Sequence, residues 1–126
     1  MSTERVLFAF VIVLALTLNV GFVVGDIGVI AYHNVYELFA TIVVNLIATI
    51  MKFGDRSALG STMLATSLVA DLQLVAAAVA WGIYNQFATP LTAHQSATIV
   101  SFAIGAMVAN VVSVVLLVIE MANLRR

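Results

Sequence analysis

The chain has 126 residues, 63% of them hydrophobic and 9% charged, with a mean hydropathy of +1.17 and a formal net charge of −1. A soluble domain has roughly a quarter of its residues charged, so this composition belongs to a membrane protein. Five basic residues cannot build a nucleic-acid surface, and the lack of cysteine excludes a disulfide, a thiol nucleophile or a Cys-based metal site.

The apolar pattern predicts an all-α membrane protein, a single domain over residues 1–126 with four transmembrane helices at about 6–25, 35–51, 57–84 and 97–119. Arg5 before the run Val6–Leu18 imitates a signal peptide. The run continues through Val24 and no A-x-A-like site follows, so it is expected to be a retained first span. This span contains Thr17 and Asn19, and Gly21 and Gly25 form a G-x-x-x-G pair, a candidate close-packing face. A polar turn with Asp26, Gly28, His33 and Asn34 leads into the second span.

Along span two Glu37, Thr41, Asn45 and Thr49 recur every four residues, and Lys52 follows three later. Steps of three and four keep side chains on one slowly drifting helix face. The stripe could line a pore, or face its own bundle with the threonines bonded back to their own helix. After the tight connection Lys52–Arg56 comes the longest apolar stretch, Ser57–Tyr84, with Asp71 and Gln73 at its middle and Trp81 and Tyr84 suited to a membrane interface. An aspartate at mid-bilayer costs at least about 2.5–3.5 kcal/mol on insertion scales, so it is expected to turn from lipid towards a partner, water or a proton. The loop Asn85–Ser96 contains the one proline, Pro90, and His94; span four carries a small-residue ridge, Ser101, Gly105, Ala109 and Ser113, read as a helix-packing face.

With four crossings Arg5, Lys52, Arg56, Arg125 and Arg126 fall on one side, and the loops on the other side contain no Lys or Arg. This predicts that both termini face the cytoplasm. Each span carries a strongly polar residue: Asn19, Asn45, Asp71 and Asn110. The asparagines read either as a polar pathway or as interhelical hydrogen bonds worth about 0.6 kcal/mol each. A carboxylate is a costly way to join helices, so Asp71 points to function. No metal site is expected; His33 and Glu37, four apart, are the nearest to one, with Asp26 or His94 as further ligands.

The segment MKFGDRSALG followed by SLVADLQLVAAAVAW resembles a small uncharacterised family of four-span bacterial inner-membrane proteins. The resemblance implies topology and a multi-pass inner-membrane location, not an activity. Small multidrug transporters share the span number and one essential membrane carboxylate, but place it in the first helix, where this chain has only Asn19. Val44-Asn45-Leu46 is similar to the second span of small fluoride channels, but the glycine expected soon after it is absent.

The leading functional expectation is a homo-oligomeric, cation-conducting ion channel. Glu37, Thr41, Asn45, Thr49, Asp71 and Asn110 would lie on its pathway, with Asn19, Gln73 and Lys52 as secondary polar positions. Glu37 at the mouth of several copies would concentrate cations. The alternatives are a proton-coupled transporter or proton relay using Asp71, and a non-transporting accessory or assembly subunit whose partner neutralises Asp71. Expected partners are the bilayer, further copies of the chain and a small inorganic ion; no nucleic acid and no cofactor is expected. No nucleophile–base pair, phosphate loop or zincin motif stands in the sequence, so it is not read as an enzyme.

Overall fold

The computed structural model describes residues 3–87 and 91–124. Within them the chain forms α1 (Thr3–Val23), α2 (Val35–Lys52), α3 (Ala58–Phe87) and α4 (Ala93–Leu124), with a single 3-10 turn at Ile30–Tyr32 and no strand among the described residues. All four α-helices are long and apolar enough to cross a membrane. Pro90, Arg125 and Arg126 lie outside the described residues.

Local chemistry sets where the helices begin and end. The first span stops at Val23, two residues before its expected limit, because Gly25 takes φ 109°, a left-handed conformation that turns the chain away from the helix axis. Asn34 caps α2, its side-chain oxygen accepting from the Tyr36 N–H at 2.8 Å. Ser57 caps α3 by accepting from Gly60 N–H at 3.0 Å, and Asp55 Oδ1 in turn accepts from Ser57 N–H and hydroxyl. Thr92 and Gln95 form a reciprocal pair, each side chain accepting from the other's backbone N–H, which starts α4 at Ala93 rather than near Ala97.

Each helix packs on its neighbour in the chain, and α1 closes the ring against α4. Lipid tails are as apolar as leucine, so helices in a membrane associate by close packing and hydrogen bonding. The seam between α3 and α4 shows how: Ala70 and Ala77 share one buried cluster with Ala103, Ala106 and Ala109, to which Leu74, Ile99, Leu38 and Phe22 add the larger side chains. Phe8, Val11, Ile12, Ala48, Met63 and Leu117 form a second cluster. The exposed apolar side chains, Phe10, Ile50, Leu72 and Val118 among the largest, cover the outside. Many polar residues of the spans have the opposite placement: Asn19, Thr41, Asn45, Thr49, Ser67, Asp71, Asn110 and Ser113 are buried, whereas Thr17, Thr62 and Ser101 are exposed.

Candidate functional site

The polar stripe of α2 faces the interior of its own bundle. Thr41 Oγ1 donates to Glu37 O at 2.7 Å, Asn45 Nδ2 donates to Thr41 O at 3.1 Å, and the Thr49 hydroxyl stands 3.0 Å from Asn45 O. Each side chain thus bonds back by one turn, as Thr and Asn do when no water is present to compete. The result is a continuous line of polar groups along one flank of α2.

At the end of this line, α3 delivers Asp71. Its Oδ2 lies 2.5 Å from the Thr49 hydroxyl, while its Oδ1 is buried with no hydrogen-bond partner. A buried acceptor left empty costs about 1–3 kcal/mol, more if it is charged. Among the described residues of the helices that pack around it, no second basic residue stands beside Lys52. Lys52, the one basic residue of α2, is committed elsewhere, and neither α3 nor the described length of α4 contains Lys or Arg.

The asparagines of α1 and α4 form a separate system. With the Asn19 amide oriented to suit its surroundings, its nitrogen donates to Ala103 O at 2.9 Å. Its oxygen accepts from Met107 N–H at 3.1 Å and from Asn110 Nδ2 at 3.0 Å. Ala103 O and Met107 N are an i, i+4 pair, so the amide clamps onto both groups of one helical rung. The four polar residues singled out from the sequence therefore fall into two seams, Asn19 with Asn110 between α1 and α4, and the Asn45–Thr49 turn with Asp71 between α2 and α3. Gln73, half-buried, lies flat on Gly105, where an added Cβ would stand 3.0–3.2 Å from its amide atoms. Ala109 is buried and Ser113 bonds Thr66 at 2.6 Å, so most of the small-residue ridge packs within the bundle; Ser101 is exposed.

The two ends of the bundle differ. At one end Lys52 Nζ is buried between Asp55 at 3.2 Å and Glu120 at 3.4 Å, and sits 4.6 Å over the Phe8 ring. These groups line a cleft of about 930 Å³ together with Glu4 and Arg5. Asp55 titrates below the ordinary carboxylate range, chiefly through the backbone N–H and then the hydroxyl of Ser57, with Lys52 a smaller contributor. At the other end Glu37 is half-buried with its carboxylate against Gly21, which has no side chain to obstruct it. The G-x-x-x-G pair is thus divided: Gly21 admits Glu37 and Gly25 turns the chain.

His33 is buried at that same end, its Nδ1 2.6 Å from Phe22 O and its Nε2 3.0 Å from Asp26 O, with its ring tilted on Phe22. Phe22 also meets Trp81. Both imidazole nitrogens lie against backbone carbonyl oxygens, and among the described residues no three His, Asp or Glu side chains gather as metal ligands. Histidine here fastens the α1–α2 turn to the end of α1. The sequence reading missed this fastening, and also Ser96, whose hydroxyl donates to Ile27 O at 2.8 Å.

The sequence pattern of a family of unknown function (DUF6394) matches residues 32–121, which takes in α2, α3 and most of α4. Neither a curated protein nor a solved structure matches the chain.

Proposed function

We propose, for a chain that belongs to the DUF6394 family, that it moves a small cation across a bacterial inner membrane, along the α2–α3 seam of its own bundle, with Asp71 as the central binding group. The observation that carries this reading is Asp71 itself, held inside the bundle by a single hydroxyl with its second oxygen unpartnered. Intramembrane carboxylates are expensive and are kept where an ion or proton passes. The ladder Glu37–Thr41–Asn45–Thr49 leads from one end of the bundle to that carboxyl. The cleft beside Lys52 opens the opposite end.

A passage shared among several copies fits the bundle less well, because Thr41, Asn45 and Thr49 are turned into the protomer and the outward side chains of α2 are Phe39, Val43, Leu46, Ile47 and Ile50. Self-association through such apolar faces is compatible with one pathway per protomer. In the proposed orientation both termini and the Lys52 end are cytoplasmic, since Arg5, Lys52 and Arg56 group on that side. The test is ion and proton flux into liposomes containing the purified chain. Wild type is expected to conduct, and Asp71→Asn to abolish the flux. Equal flux from both proteins would refute the role given to Asp71.

A further inference from the structure

We infer that the cargo of this pathway is the proton, and that Asp71 holds it as a neutral carboxylic acid in the state described here; this rests on the translocation reading above and names its substrate. The Thr49 hydroxyl has one hydrogen, yet two acceptors stand within bonding distance of its oxygen: Asn45 O at 3.0 Å and Asp71 Oδ2 at 2.5 Å. An ionised Asp71 would take that hydrogen for itself, would receive nothing at Oδ1, and would remain a charge bound by one neutral donor. A protonated Asp71 resolves every contact. Its Oδ2–H donates to Thr49 Oγ1, and Thr49 Oγ1–H donates to Asn45 O. The unpartnered Oδ1 is then a carbonyl oxygen, far cheaper to bury bare than half of a carboxylate.

Among the described residues of α2, α3 and α4, the one basic side chain near the seam is Lys52. From α2 the ionisable groups are Tyr36 and Glu37 in its first turn and Lys52 at its last residue, and Lys52 is bound to Asp55 and Glu120. Among the described residues, α3 adds only Tyr84 and α4 only His94 and Glu120, with His94 in its first turn and Glu120 at the cleft. A metal cation would need a shell of several oxygens around it. Asp71 instead meets one hydroxyl, and that hydroxyl is itself bonded to its own helix.

Infrared difference spectroscopy of the protein in lipid tests this directly. At neutral pH wild type is expected to show the C=O stretching band of a protonated carboxyl that is missing from Asp71→Asn and retained in Glu37→Gln and Glu120→Gln. Thr49→Val keeps the acid but removes its acceptor, so the band should persist and move to higher frequency. That arm stands even if Asp71→Asn fails to fold. Absence of any such band at neutral pH, or a band unmoved by Thr49→Val, overturns the inference. The outcome is separable from the transport reading: an ionised Asp71 with Asp71-dependent sodium or potassium flux keeps translocation and removes the proton, whereas a protonated Asp71 with flux indifferent to Asp71→Asn removes translocation.

Discussion

The Asn19–Asn110 contact can be measured by a double-mutant cycle, using Asn19→Leu, Asn110→Leu and the pair. Asn19 makes three hydrogen bonds, to Ala103 O, Met107 N–H and Asn110 Nδ2. Two of these involve backbone groups of α4 that can close on each other when the amide is gone, so their loss is largely repaired. The third is not, because the Asn110 amide is buried. Interhelical hydrogen bonds in membranes average about 0.6 kcal/mol and reach about 1.7, and a stranded buried donor adds about 1–3 kcal/mol. Asn19→Leu should therefore cost about 2 kcal/mol, and the coupling energy with Asn110→Leu should fall between about 0.6 and 1.7 kcal/mol. Single-variant values mix in altered packing and lipid partitioning, which the cycle cancels. The assay is reversible unfolding in mixed micelles or by steric trapping. Asn45→Leu paired with Asn110→Leu is the control, since Asn45 bonds its own helix at Thr41 O, and it should show no coupling. A coupling of zero for Asn19 with Asn110 would refute the α1–α4 pairing.

Gly60→Ala should destabilise the chain by about 1–3 kcal/mol in the same assay, because the new Cβ would overlap the Asp55 carboxyl and break the Asp55–Ser57 cap; in an Asp55→Ala background the same change should cost little. Asp55 is held ionised by Ser57 and Lys52, so its folded-state pKa lies below the unfolded one. Its stabilising effect is complete above the unfolded value of about 3.9 and disappears as pH falls through the folded value. Acid unfolding curves of wild type and Asp55→Asn should therefore converge below about pH 4, and parallel curves would contradict the cap.

The four spans were legible because apolar length alone marks a membrane helix, and α2's four-residue polar recurrence correctly grouped Glu37, Thr41, Asn45 and Thr49 on one flank. Which helix each polar group would meet was not legible. Periodicity describes one helix at a time, whereas Asn19 is paired through the closure of α1 on α4, and Lys52 with Glu120 through contact of residues far apart in the chain. One missed boundary did have a signal: Thr92 and Gln95 stand at capping-box spacing, which places the start of α4 at Ala93. His33 had none that composition could supply. A histidine beside an acidic residue reads as a ligand in sequence, and only the fold shows its ring set between one carbonyl of α1 and one of the turn that follows.

All the groups that satisfy Asn19 belong to the last helix. During synthesis the first helix therefore reaches the bilayer with a bare amide, and its intended acceptors and donors emerge only after α2 and α3 have been inserted. Until then the amide has to be sheltered by water or by the insertion machinery. The arrival of α4 is accordingly the step that satisfies this amide, and a chain cut short before Ala103 would leave the first hairpin in the membrane with its polar group still seeking a companion.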